Sequence, residues 1–257
     1  MFIDTHCHLH DEKLSDTDTV VNEYLRDGVD IAINMACCAL TSEKGKMLAE
    51  KYPSVFFGVG CHPSDSGTFD DAEFDRIKVL STHPKCVAIG EIGLDYYWEP
   101  FDKIKQAECF IKQIEFAHEC KLPISIHSRD ATADMLNILK QNKNKLEYGA
   151  VMHCFSGSRE TAIELLRLGL YISFAGPLTF KNANAILEVA KTVPLDMCLT
   201  ETDSPYLSPH PLRGKVNGPK NVGIILAKLA ELKGLTVEEL APIVMKNAKT
   251  LFKKINV

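Results

Sequence analysis

FDKIKQAECFIKQIEFAHECKLPISIHSRD, residues 101–130, contains one complete structural unit. Over Phe101–Cys120 the residues Ile104, Ala107, Phe110, Ile111, Ile114 and Ala117 recur on one face of a helix. Pro123–Ile126 follows as a short apolar run of strand length, and it gives way to His127. A helix leads into a buried strand, and the strand ends in a residue able to bind a metal or a proton.

The same unit repeats in both directions. Strand-like runs lie at Phe2–Thr5, Val29–Met35, Val55–Gly60, Cys86–Gly90, Pro123–Ile126, Gly149–Met152, Leu170–Phe174 and Met197–Thr200, with helical spacing between them. These runs are nearly continuous in apolar character, as expected of parallel strands covered on both faces. Eight strand–helix units within 257 residues predict an α/β fold: a single (β/α)8 TIM barrel domain over residues 1–257, with extra C-terminal helices. No Gly/Ser-rich linker divides the chain. Near the C-terminus Val222, Ile225, Leu226, Leu229 and Leu232 trace one apolar helix face, and Gly234 stops that helix. Thr236 with Glu239 has the spacing of a capping box, and Pro242 is expected to kink or restart the last helix.

Composition narrows the class. Apolar residues make up 46% and charged residues 25%, ordinary for a globular protein. No apolar run approaches the roughly 20 residues of a membrane span, and the first residues lack the pattern of a secretory signal. Nine cysteines form no CxxC pair, and Cys86 and Cys198 sit inside apolar runs. They read as small buried thiols in a reducing compartment, which predicts a cytoplasmic protein. A net charge of −5 argues against non-specific coating of nucleic acid.

In such barrels the chemistry lies where the strands end. His6 and His8 leave the first run, His62 (in GVGCHP) the third and Glu91 (in AIGEIGLD) the fourth. His127 leaves the fifth, His153 (in VMHCF) the sixth and Asp203 (in LTETDSP) the eighth. One such histidine would be an ordinary polar residue; seven residues of metal-ligand type at six of eight strand ends predict a metal centre. His6 and His8 are alternate residues of a strand, so both point into the barrel mouth while Cys7 points away. His10 keeps the alternation but lies beyond the strand, and is expected to be a loop histidine rather than a ligand. Six groups are too many for one centre of three protein ligands plus water. Two divalent ions sharing Glu91 fit the count, with Asp203 placed to take a proton from the attacking water. The reaction class is hydrolysis.

DTHCHL, GCHP, GEIGLD, HSRD, MHCFSG and ETDSP occur in this order, followed by RGKVN and NAKTLF. From Phe2 to Phe252 this set resembles the TatD family of metal-dependent deoxyribonucleases, although HxH alone is shared across the amidohydrolase superfamily. The resemblance implies a barrel and a divalent-metal phosphodiesterase, commonly a 3′→5′ exonuclease on DNA. It implies one metal on His6, His8, Glu91 and Asp203, and a second on Glu91, His127 and His153. It places His62 near the scissile phosphate, so Asp203, Glu91 and His62 become the catalytic candidates. Members often carry Asn-Glu-Pro where this chain has Asn217-Gly218-Pro219, so no role of that glutamate carries over.

Loops that follow strands line the mouth. Arg129, Lys181, Arg213 and Lys215 are therefore placed to grip phosphates, and Tyr96, Tyr97, Trp98 and Tyr206 to stack on bases. The candidate substrate contacts are His62, Arg129, Tyr96, Tyr206, Arg213 and Lys215. The basic run Lys140–Lys145 precedes the sixth strand and belongs at the opposite end. Asp95 is expected to orient a ligand histidine. The acidic charge favours a few contacts to a DNA strand end over a long groove. Four histidine ligands suit Zn, Mn, Fe or Co held tightly, with Mg at a weaker site; the resembling family is usually described as magnesium-dependent. The alternative enzyme reading is a small-molecule amidohydrolase, lactonase or deacylase on the same metals, which would need a closed apolar pocket at the mouth. A non-enzymatic metal-binding scaffold is the third reading. No membrane partner is expected, and the sequence leaves the oligomeric state open, a monomer included.

Overall fold

Every expected apolar run forms a strand in the computed structural model, which describes residues 1–14 and 16–255. The strands are β1 (Phe2–Cys7), β2 (Val29–Asn34), β3 (Val55–Val59), β4 (Cys86–Asp95), β5 (Ile124–Arg129), β6 (Ala150–Met152), β7 (Tyr171–Phe174) and β8 (Cys198–Thr200). They pair in chain order, all parallel. Helices α1 (Thr17–Arg26), α2 (Ala39–Lys51), α3 (Asp71–Ser81), α4 (Lys103–Cys120), α5 (Thr132–Gln141), α6 (Arg159–Arg167) and α7 (Asn184–Thr192) connect successive strands. Two more, α8 (Val222–Lys233) and α9 (Val237–Leu251), follow β8. This is the expected (β/α)8 barrel.

β1 and β8 meet through a polar clasp. The Asp203 N–H donates to the His6 carbonyl at 2.9 Å, and the His8 N–H to the Ser204 carbonyl at 2.7 Å. Fully buried Asp4 accepts from the Thr202 N–H at 2.9 Å and from the Thr202 hydroxyl at 2.5 Å. Burial pushes the Asp4 carboxyl up to about 8, against the pull of these hydrogen bonds. Below the clasp, the Asn247 amide of α9 donates to the Leu195 and Cys198 carbonyls.

Three local expectations differ from the structure. β4 runs beyond Gly90 to Asp95, because its pairing with β5 resumes after a shift and continues through Ile92↔Ile126, Gly93↔His127 and Asp95↔Arg129. Glu91 and His127 are thus embedded in paired strands. The approach there is close enough that a Cβ on Gly93 would collide with the His127 carbonyl oxygen. The buried face of α4 is also rotated: Ile104 is 71% exposed, while Gln106 and Gln113 turn inward. The Gln113 amide accepts from the Cys61 N–H at 2.7 Å and donates to its carbonyl at 3.0 Å. Gln106 makes the same pair with Asp95, at 2.8 Å each way. These polar clips outweigh burial of Ile104. Finally, α9 continues through Pro242 without restarting. Pro242 and Glu238 are exposed, so water can satisfy the Glu238 carbonyl that Pro242 leaves without a donor. The cap at Gly234, with φ of 69°, and the Thr236–Glu239 capping box form as expected. All nine cysteines are free thiols, with Cys86 and Cys198 buried.

Candidate metal centre

Alternation along β1 brings His6 and His8 to the same side, while the Cys7 thiol donates to the Ile33 carbonyl. Their Nε2 atoms meet one oxygen of Glu91: Oε2 lies 3.3 Å from His6 and 3.7 Å from His8. Asp203 completes this group, its Oδ1 being 3.3 Å from His8 Nε2 and 3.9 Å from His6 Nε2. The other oxygen, Glu91 Oε1, lies 2.9 Å from His127 Nδ1 and 3.0 Å from His153 Nε2. Two groups of donors therefore converge on the two oxygens of a single buried carboxylate.

The second nitrogen of each of these imidazoles is engaged from behind. His8 Nδ1 is 2.9 Å from the Met35 carbonyl and His6 Nδ1 is 3.4 Å from the Ser125 hydroxyl. His127 Nε2 is 2.9 Å from Asp95 Oδ2, and His153 Nδ1 is 3.1 Å from Glu201 Oε1. When these rear nitrogens carry the proton, every lone pair faces Glu91, the arrangement a ligating histidine needs. His6 Nε2 is buried with no hydrogen-bond partner, an orphan that a cation would satisfy. The donor set thus fits divalent ions: each of the two groups contains two imidazoles and at least one carboxylate oxygen.

Electrostatics agrees with the geometry. Burial would raise the Glu91 carboxyl, but His153, His62 and His6 hold it well below the usual range. Burial opposes protonation of His153, yet Glu91 and Glu201 raise its pKa well above the ordinary histidine value. His8 is likewise raised against burial, chiefly by Asp203. Asp95, opposed by burial, is brought down to about 2 by His127 and by the Tyr97 N–H. Asp203 sits at φ 55°, a left-handed conformation uncommon for a residue with a Cβ.

His62 differs from the other four. Its Nδ1 accepts from the Ser64 N–H at 3.2 Å, which puts the proton of a neutral ring on Nε2. That atom lies 3.7 Å from Glu91 Oε1, and burial lowers the ring's pKa to about 4. His62 therefore offers an N–H rather than a lone pair. His10 bonds Asn34 Oδ1 through both Nδ1 and its backbone N–H, beside His8 and Cys37.

Over the centre opens a cavity of about 690 Å³, whose lining includes Trp98, Arg129 and Tyr206. The Arg129 guanidinium stacks 3.6 Å from the Tyr97 ring centroid, and the Tyr206 hydroxyl donates to Asp11 at 2.7 Å. Tyr96 is turned elsewhere: its hydroxyl donates to Asp134 and its ring stacks on Phe101. Arg213 lies over Phe180, lining a neighbouring cavity, and exposed Lys215 lines neither cavity. Lys140 and Lys145 pair with Glu164 and Glu115 ahead of β6, away from the centre. The Asn217 amide holds the loop after β8 by donating to the Thr202 and Tyr206 carbonyls.

Sequence reasoning missed Glu201, which bridges His153, the Cys154 N–H and Ser173. It also missed Asp4 and the two α4 glutamines. The one available signal was their alternation with residues already singled out: Asp4 with His6, Glu201 with Asp203.

A parallel eight-stranded barrel carrying this cluster at its C-terminal mouth defines a metal-dependent hydrolase. The profile of the TatD related DNase family matches residues 3–253. The chain is 42% identical to YabD of Bacillus subtilis (strain 168), named a metal-dependent hydrolase, over 98% of this chain and 99% of that one. It is 35% identical to a Citrobacter koseri protein named 3′-5′ ssDNA/RNA exonuclease TatD, over 93% of this chain and 94% of that one. The structure is similar to that of a TatD homologue from Escherichia coli, with a TM-score of 0.93 and 30% identity, covering 98% of each chain. The chain belongs to the TatD related DNase family. Among the described residues no helix is long and apolar enough to cross a membrane.

Proposed function

We propose that this hydrolase cleaves phosphodiester bonds at the ends of DNA strands, acting 3′→5′ with two divalent ions bridged by Glu91. The observation that carries this reading is the division of the Glu91 oxygens, Oε2 towards His6 and His8, Oε1 towards His127 and His153. His6, His8, Glu91 and Asp203 would hold one ion, and Glu91, His127 and His153 the other. When bound, such a pair supplies Lewis acidity to the phosphate and lowers the pKa of the attacking water. Zn, Mn, Fe or Co suits the imidazoles, with Mg at the weaker position.

The protein's own groups do the rest. Asp203 orients the attacking water and takes its proton: burial opposes its ionisation, but His8, His153 and His6 outweigh burial and hold the carboxylate in its charged form. His62 donates its Nε2–H to a phosphate oxygen. Arg129, held flat by Tyr97, binds phosphate or stacks beneath a base at the rim. Tyr206 completes the other side of the mouth. The name of the Citrobacter koseri relative supports a nucleic-acid substrate. A mouth that carries Arg129, Trp98 and Tyr206 supports it over the closed apolar pocket that a lactonase or deacylase would present.

The test is metal-reconstituted protein on 5′-labelled single- and double-stranded DNA. The expected result is stepwise shortening from the 3′ end, abolished by a chelator and restored by added metal. No shortening under any metal, with turnover of a lactone or amide instead, would replace this reading with the small-molecule one.

A further inference from the structure

A second cavity, of about 670 Å³, adjoins the metal centre; Ser156 and Pro177 line both. It is built by the loops after β6, β7 and β8. Phe155 and Ile186 give it an apolar lining and are themselves buried. The half-buried Phe180 carries the Arg213 guanidinium flat above it, 3.7 Å from the ring centroid. Lys181 and Asn182 stand at the same opening.

Charge separates this cavity from its neighbour. The metal centre is lined by Glu91, Asp95 and Asp203, whereas among the described residues no carboxylate lines the second cavity. On a protein of net charge −5, many surface cations are paired, as Arg167 is with Glu164, Lys191 with Glu188 and Lys220 with Glu23. Among the described residues Lys181 and Arg213 form no ion pair; Arg213's contact is the Phe180 ring. Cations left free beside an apolar wall suit a ligand that is flat on one side and anionic on the other.

We infer that this cavity is a nucleotide subsite, which takes the base of the residue adjoining the scissile phosphate and holds the next phosphate at its rim. It rests on the nucleic-acid reading above and adds where the neighbouring base goes. The base stacks on the Phe180–Arg213 pair, a contact that tolerates any base because each has a π face. Arg213 keeps its N–H edge for phosphate, and Lys181 adds a second cation. The Asn182 amide offers a donor and an acceptor to base edges. The shared lip at Ser156 and Pro177 lets one backbone linkage span from the metal centre into the subsite. The volume lies within the about 300–1,000 Å³ usual for ligand sites.

The test measures inhibition of methyl p-nitrophenyl phosphate hydrolysis by metal-loaded enzyme. One inhibitor is the dinucleotide TpT; two others replace its 5′ or its 3′ base by an abasic sugar. In the unaltered enzyme, removing one of the two bases should raise the inhibition constant about tenfold, the size of one base–aromatic stack. In Phe180→Ala that penalty should shrink below about threefold while hydrolysis of the small diester is retained, and in Arg213→Ala the penalty, taken relative to that variant's own inhibition by TpT, should shrink likewise. Arg213 is exposed, so its replacement does not threaten folding. An undiminished penalty in both variants, or none in the unaltered enzyme, overturns the subsite. Failure of the unaltered enzyme to hydrolyse the small diester refutes the phosphodiesterase reading instead, and the subsite with it.

Discussion

The two sides of Glu91 use the same donor atoms but are backed differently. Behind His6 and His8 stand neutral groups, the Ser125 hydroxyl and the Met35 carbonyl. Behind His127 and His153 stand two carboxylates, Asp95 and Glu201. A carboxylate behind an imidazole makes the ring more basic and fixes its orientation. The β1/β8 side compensates with a carboxylate in front, Asp203, which the β5/β6 side lacks. One side thus carries its extra negative charge where water and substrate arrive, the other carries it in the wall. In the function proposed above, the first side would take part in chemistry and the second would hold an ion in place.

The severest way to break this comparison is to remove the charge both sides share. Glu91→Gln should lower hydrolysis by on the order of 10²-fold or more and release at least one ion per chain at moderate metal concentration. Elemental analysis alongside activity checks it; two tightly held ions in the variant would refute the bridge. Removing the rear carboxylates tests the asymmetry itself. Asp95→Asn or Glu201→Gln should weaken one ion by about 10–100-fold in a chelator competition, while Ser125→Ala should cost far less. Equal losses from all three would mean that the backing does not matter.

A smaller effect follows from pH. Burial lowers the His153 pKa, but Glu91 and Glu201 raise it further, to well above its ordinary value. In metal-free protein its proton therefore contributes stability that is complete below the unfolded value of about 6.5. That contribution is lost as pH rises through the elevated folded value. Metal takes the proton's place, so the gap in Tm between loaded and chelated protein should widen with rising pH above about 6.5. Thermal unfolding across that range measures it, and a gap that narrows would reverse the assignment. The smallest effect belongs to His10. His10→Ala should leave metal content near that of the unaltered protein, because its ring is committed to Asn34; loss equal to that of His6→Ala would place it among the ligands.

Much of this was legible in the sequence because it depends on local pattern. Apolar runs at regular spacing gave the strands, and reading the residue that leaves each strand brought out His6, His8, Glu91, His127, His153 and Asp203 as neighbours in space. Alternation distinguished His8 from Cys7. Contacts set by register between distant segments were hidden. Glu201 and Asp203 are the same kind of residue two positions apart, and only the closing of the barrel, with β6 two strands away from β8, places Glu201 and not Asp203 behind His153. Tyr96 and Trp98 share one loop, yet Trp98 alone of the two reaches the cavity. Ile104 fits the helical period but loses its buried place to glutamines whose partners are backbone groups of strand exits outside the helix.

Those two glutamines make α4 a spacer of fixed gauge. Gln106 and Gln113 lie seven residues apart, about two turns and roughly 10 Å along the axis. One grips the strand exit at Asp95 and the other the exit just before His62. A residue inserted between them would swing one amide about 100° away from its strand, whereas a residue added beyond Cys120 would move neither. Drift in chain length should therefore be tolerated at the ends of this helix and refused in its middle. Comparing the metal content of alanine insertions after Cys109 and after Lys121 would show whether the barrel keeps that gauge.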